Sequence, residues 1–416
     1  MSVRAVVRAA TPGTLLLVIG VITGCGESDG VNRQRETTID TTTQLSQAEL
    51  TRMLDDPLAC RSPGVVSGFV RNPPRTVAHG TATFLADERL VFYDNATHQL
   101  RVFSAGGLEL ARLGRRGSGP GEFSMSPAVK RWLADTIATY EAGSRRLSLF
   151  TEAGFVRQVQ LPEVRHGLFL GLLGDGWMMF LSSQPEERTG RIRAALSVSR
   201  VREGRAAFEV VRDSIPATEV FIDRGPGAVS SRAPAFPYQT SIVALDRFVA
   251  VYDDSTDRID FLASDGTLAR SVHVAIRAPS VSRRTRDSVN SAYRRRGAGL
   301  PAPSREQFSA VRGHVAPIDH VLADAEGGLW LRLHESVSPG GGVYLRLAMD
   351  GYIDRCFRPP PATPFDPRPP RGVRSSRFLP RQDGRIIAFA RDRVAIALVG
   401  EDEDTVRVLR TAYVSR

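Results

Sequence analysis

Seven histidines, two acidic runs and one arginine-dense stretch are the parts of this chain whose residue types could do chemistry. The histidines stand at His79, His98, His166, His273, His314, His320 and His334. A metal ring would need its ligands at one repeated position, and these do not recur in that way. His98 reads as solvent-facing, whereas His166 and His320 lie near the starts of apolar runs and are the candidates for the mouth of a central channel. Asp253-Asp254 with Asp257, and the run Glu401 to Asp404, lack the alternating Asp-x-Asp-x-Asp-Gly spacing that wraps a calcium ion, and both read as solvated turns. No G-x-S-x-G elbow, phosphate-binding loop, H-E-x-x-H or C-x-x-C occurs, so serine-hydrolase, nucleotide and zinc-protease chemistry lack a foothold. The sequence therefore supplies no catalytic residue, no metal ligand and no cofactor motif.

Positive charge is the stronger signal. The 416 residues carry a formal charge of +10, and Lys130 is the only lysine, so arginine supplies nearly all of it. Between residues 279 and 316 stand Arg283, Arg284, Arg286, Arg294, Arg295, Arg296, Arg305 and Arg312, planar donors suited to carboxylates or phosphates. Arg294, Arg295 and Arg296 are the candidate anion-binding group. The competing reading is the solvated face of an amphipathic cap packed through Val289, Tyr293, Phe308 and Val311.

The elements that must position these residues begin with a leader. Residues 1–24 carry Arg4 and Arg8 ahead of an apolar stretch, Thr14 to Gly24, that ends at Cys25. Eleven residues rise only about 16 Å as a helix, roughly half a bilayer core, so the stretch reads as a signal segment. Ile22-Thr23-Gly24-Cys25 resembles the lipobox of bacterial lipoproteins. That resemblance implies a mature chain starting at a lipid-bearing Cys25, and Gly26 in place of an aspartate implies the outer membrane. Removal of the leader takes Arg4 and Arg8 and no acid, leaving +8, and secretion puts cytoplasmic nucleic acid out of reach. Residues 25–60 read as a polar tether. Cys60 and Cys356 remain, in an oxidising compartment, either to bridge or to stay as two buried thiols.

Past residue 75 the chain repeats. Leu100 to Gly107, Leu147 to Gly154, Ile259 to Gly266 and Tyr344 to Gly351 each place a glycine seven positions after an apolar start, as a strand running into a hairpin does. The runs Arg89–Asp94, Thr136–Glu141, Gly176–Leu181, Arg247–Asp253, Gly328–Leu333 and Gly384–Phe389 align as the strands preceding them. Six such runs imply six four-stranded units at a spacing of about 45 residues, the period of a propeller blade. The expected units are 79–114, 126–161, 166–213, 238–276, 317–358 and 376–414, with Val65–Val70 adding a strand near the ring closure. Gly225–Pro237 reads as a loop. Ser282 can cap a helix to about Arg296, and Ser304 to Gln307 has capping-box form ahead of a second.

Gly114-Arg-Arg-Gly-Ser-Gly-Pro-Gly-Glu-Phe123, with Gly143 to Phe150 further on, closely resembles the NHL-repeat blade signature. Resemblance to that family implies an all-β fold, a six-bladed β-propeller of four-stranded antiparallel blades over 61–416; the caps at Ser282 and Ser304 add a small helical insertion at about 279–316 between the fourth and fifth blades. The expected function is a lipid-anchored envelope propeller serving as an interaction platform for an unknown envelope protein or anionic ligand. The alternative is a metal-dependent propeller enzyme, lactonase-like or lyase-like, acting with a divalent metal at the channel mouth.

Overall fold

The computed structural model of the protein describes Thr51, Cys60, residues 65–70 and most of 81–413. Within that last span it leaves out 134, 163–166, 189–190, 204–206, 226–227, 233–239, 275, 277–279, 285–286, 288–314, 335–341, 349–351, 359–384 and 399–404. The first strand is β1 (Val65–Val70). A first sheet follows with β2 (Ala82–Phe84), β3 (Leu90–Asp94), β4 (Gln99–Phe103) and β5 (Glu109–Leu113), and a second with β6 (Ala128–Trp132), β7 (Thr136–Glu141), β8 (Arg146–Thr151) and β9 (Gly154–Gln160). The third holds β10 (Leu168–Leu172), β11 (Met178–Arg188), β12 (Arg191–Val201), β13 (Glu209–Gly225) and β14 (Ala228–Arg232). The fourth holds β15 (Thr240–Ala244), β16 (Val249–Asp253), β17 (Arg258–Leu262) and β18 (Leu268–His273). The fifth holds β19 (Ile318–Ala323), β20 (Leu329–Leu333), β21 (Tyr344–Leu347) and β22 (Ile353–Phe357), and the last β23 (Arg385–Phe389), β24 (Arg393–Leu398) and β25 (Thr405–Arg410). A short β26 (Ala412–Tyr413) pairs back onto β22.

The described residues thus form an all-β propeller of four-stranded antiparallel blades, each blade a meander whose first strand is innermost. Inner strands β2 and β6, β6 and β10, β10 and β15, β15 and β19, and β23 and β2 lie side by side. The fifth and last sheets meet through a Trp330–Phe389 stack with centroids 4.7 Å apart. The last sheet takes its fourth strand from the opposite end of the chain, because β1 pairs antiparallel with β25. Next to it, Cys60 is disulfide-bonded to Cys356 of β22, 296 residues away.

Strand position explains the sequence texture. Second and third strands are sandwiched between neighbouring blades on both faces, so β3 (LVFYD) is buried throughout, as parallel-sheet strands are for the same reason. Outer strands have one wet face, and β5 (ELARL) accordingly alternates between exposed and less exposed positions. Between second and third strands, His98, Arg145 and Asp257 adopt φ of 56°, 56° and 51°, each five residues after a tyrosine that ends the apolar run. Between third and outer strands, Gly107, Gly154 and Gly266 have φ of 83°, 131° and 85°. The fourth expected hairpin glycine, Gly351, lies outside the described residues.

Three sequence expectations shift. The run Gly384–Phe389 corresponds to β23, an inner strand, so the alignment slipped by one strand in the last unit, which has β1 as its outer strand. Gly225–Pro237 is a hairpin in part, since β14 pairs with the end of β13. His98 is half-buried, with Nδ1 2.9 Å from the Tyr93 hydroxyl. Within the expected helical insertion, Arg283, Arg284 and Asp287 have helical backbone, and residues 288–314 lie outside the described residues.

The Gly114–Phe123 segment bridges β5 to β6. Phe123 N donates to Arg115 O at 2.8 Å and Gly117 N to Phe123 O at 3.1 Å, which folds the segment back on itself. Glu122 caps the turn, accepting from Gly119 N at 2.8 Å and Arg115 Nε at 2.7 Å. Phe123 is buried between Tyr93 and Phe150, joining the first two sheets. Beneath it Glu141 Oε1 accepts from Ser124 N and Met125 N, and its other oxygen takes Arg146. The most distinctive stretch of the sequence is therefore an inter-blade clamp.

Candidate functional site

In an antiparallel meander the first and third turns fall on one face, and the second turn and the inter-blade connection on the other. The inner strands end around the axis at the first turns, so side chains there converge even when they are distant in sequence. Arg131, on β6 of the second sheet, reaches Asp246 in the first turn of the fourth sheet, with its guanidinium nitrogen 3.4 Å from Oδ2. The pair passes over the third sheet, whose Gly174 N donates to Asp246 O at 2.6 Å. Gly327 of the fifth sheet presses on the same residue, for a Cβ on it would sit 3.3 Å from Asp246 Cβ.

Glu326 occupies that fifth-sheet turn. Its backbone N donates to Asp324 Oδ1 at 2.9 Å, and its own Oε2 accepts from Arg391 N, in the last sheet's first turn, at 2.7 Å. Burial pushes the Glu326 carboxyl up to about 7, helped by the charge of Asp324 and opposed by the Arg391 hydrogen bond, Arg346 and Arg131. Yet its side chain is reached by solvent. Both hold for a residue in a concave mouth, wet on one side and surrounded by protein on the others.

The turn is held by a buried triad. Arg346 on β21 bonds Asp324 Oδ2 at 2.5 Å and Asp354 Oδ2 at 2.7 Å, and Gly328 N donates to Asp324 Oδ1 at 2.6 Å. These bonds fix the backbone from which Glu326 projects. Three sheets thus deliver the side chains of Arg131, Asp246 and Glu326 to one end of the axis, and a fourth adds the Arg391 backbone N–H while the Arg391 guanidinium lies 3.7 Å from Asp354 Oδ2; the arrangement can exchange a proton near neutral pH and bind polar groups of either sign. Among the described residues no group of three or more His, Cys, Asp or Glu could hold a metal ion.

The residues singled out from the sequence fall elsewhere. Cys25, His166 and Arg294, Arg295 and Arg296 lie outside the described residues. His320 stands on inner strand β19 opposite Arg332 of β20, open to solvent on one side, with its imidazole pKa lowered by the protein packed around its other side and by Arg332. Asp253 Oδ1 accepts from Ser255 N at 2.9 Å and Ser255 Oγ at 2.7 Å, a local turn bond. Sequence reasoning missed Arg131, Asp246 and Glu326. The signal was an acid at or near the first turn of every unit, namely Asp87, Asp135, Asp175, Asp246, Asp324 and Asp392.

No family model matches the chain, and no curated protein matches it. Solved structures do. A protein of Bacteroides fragilis described as exported is 14% identical, with 85% of this chain and 98% of that one covered at a TM-score of 0.42. A member of the duf4221 family from Bacteroides vulgatus is 11% identical, with 86% and 100% covered at 0.44. A catalytically inactive virginiamycin B lyase from Staphylococcus aureus, solved with quinupristin, is 13% identical, with 81% and 82% covered at 0.35.

Proposed function

We propose that the protein is a lipid-anchored cell-envelope propeller that binds a partner or ligand at its axial mouth. The observation that carries this reading is the meeting of the Arg131, Asp246 and Glu326 side chains from three separate sheets, with the Arg391 backbone N–H of a fourth, at one end of the axis. Charged side chains that meet from distant parts of a chain and remain open to solvent are a place for polar recognition. In this reading the six sheets close as one ring of the NHL-repeat kind, Cys25 carries the lipid, and the arginine-rich insertion with Arg294, Arg295 and Arg296 supplies a second, anion-binding surface. The Cys60–Cys356 disulfide supports an oxidising, exported location.

The test is capture from envelope extract by the full chain, wild type against Arg131→Ala with Glu326→Ala. Loss of a partner in the double variant supports the mouth, and unchanged capture sinks it. The near-neutral Glu326 favours a second reading, an enzyme using that carboxyl as a proton donor or acceptor. A stoichiometric, chelatable divalent ion in the purified protein would favour the metal-dependent form of that reading.

A further inference from the structure

Lys130, the single lysine of the chain, stands at the centre of inner strand β6. Alternation along the strand puts it on the face of Ala128 and Trp132, which pack into the cluster between the second and third sheets, while Val129 joins the cluster between the first and second. Trp132 is fixed there by its indole N–H, which donates to Leu173 O at 3.3 Å. The lysine between these two is half-buried and makes no hydrogen bond or ion pair with the described residues. An inner strand has a blade on each flank and its own sheet behind it, so the solvent that touches Lys130 reaches it along the axis. Burial holds its ammonium below the ordinary lysine pKa, and no carboxylate offsets that effect.

A charge in such a place is normally paired. Arg131, the next residue, is already matched by Asp246, which leaves one positive charge on this strand without an anion. One ammonium balances one negative charge, so a monocarboxylate fits where a phosphate dianion would leave an excess. The apolar sides given by Ala128 and Trp132 favour a ligand with a small hydrocarbon part. We propose that Lys130 anchors a binding site for a small, singly charged carboxylate in the axial channel, just inside the mouth formed by Arg131, Asp246 and Glu326. The inference rests on that mouth being the ligand's entrance.

A sole lysine makes the test direct. Reductive methylation of the full-length protein with carbon-13 formaldehyde gives one side-chain amine resonance, separable from the terminal amine and assigned by its loss in Lys130→Arg. Acetate or benzoate should shift that resonance saturably, raise the amine's pKa toward the ordinary lysine value and, on unmodified protein, slow its labelling. Chloride and inorganic phosphate at matched ionic strength should do none of the three. Lys130→Met should weaken benzoate binding by calorimetry roughly tenfold or more. The wild-type labelling experiment decides the matter if that variant fails to fold. No saturable response to either carboxylate, or an equal response to chloride, overturns the proposal. Should the carboxylates fail while Arg131→Ala with Glu326→Ala still loses its captured partner, this inference falls and the mouth stands; the converse result removes partner capture at the mouth and keeps the lysine site that opens through it.

Discussion

Glu326 is asked to keep a proton that a free glutamate would lose, and that has a thermodynamic signature. Its folded pKa of about 7 lies above the ordinary 4.5, so between those values the folded state holds a proton that the unfolded state has released. Stability from this group is therefore present below about 4.5 and is lost as pH rises toward 7. Glu326→Gln removes the titration. The urea midpoint of the variant should match wild type at pH 4 and exceed it at pH 8, by an amount that solvent access to the side chain reduces. A gap of the same size at both pH values would contradict the assignment. Arg346 tests the support beneath. Its guanidinium lies between Asp324 and Asp354, all three largely buried, and Arg346→Met leaves Asp324 without a cation and Asp354 with only Arg391, 3.7 Å away. The expected loss is about 3–5 kcal/mol by denaturant titration; a loss below about 1 kcal/mol would mean the triad is already well hydrated.

At the scale of elements the connector between the first two sheets is the sharpest case. Gly114 has φ of 79°, and a Cβ on it would sit 2.4 Å from Phe123 Cε2, in the ring that ties those sheets together. Gly114→Ala should therefore cost about 1–3 kcal/mol from backbone strain and overpacking together. Gly106→Ala, whose nearest neighbour would be Ser104 Oγ at 3.7 Å, should stay within about 0.5 kcal/mol. Equal effects would remove the connector's special role. Strands like these were readable from sequence because blade packing writes itself into composition. Tyr93, Tyr140 and Tyr252 each end the apolar run of a second strand, one residue before its closing acid, and are followed at the same distance by a third strand, so repeat and strand order are written in the sequence. The last unit misaligned because its outer strand, β1, sits more than 300 positions upstream of its partners in β25, where no local pattern can point. The site was less legible for a related reason. Arg131 is a single charge within a strand, Asp246 and Glu326 are single charges in ordinary turns, and only the packing of sheets side by side makes them neighbours. A search for histidines or spaced ligands looks for chemistry that is local in sequence, which this mouth is not.

At the scale of the whole molecule, two devices tie the last sheet and the fifth to the start of the described chain. β1 completes the last sheet by pairing with β25, and the Cys60–Cys356 bridge fastens the chain just before β1 to the outer strand of the neighbouring sheet. Arginine also ties sheet to sheet, as Arg393 to Glu88, Arg89 to Glu152 and Arg157 to Glu203. Each of these pairs has its carboxylate open to solvent and is worth little, which makes the covalent tie the one with leverage. A cross-link spanning 296 residues restricts the unfolded chain more than a short loop does, although β1 already holds the same region in the folded state. The double change Cys60→Ser with Cys356→Ser should lower stability by about 2–4 kcal/mol, and reduction of the wild type should give the same shift. If closure is where the molecule first opens, limited proteolysis of the reduced protein should cut between Cys60 and β2 before any other site, while the oxidised protein resists. Cleavage that begins within the second or fourth sheet in both states would place the weak point elsewhere, and would mean that β1 pairing alone holds the molecule shut.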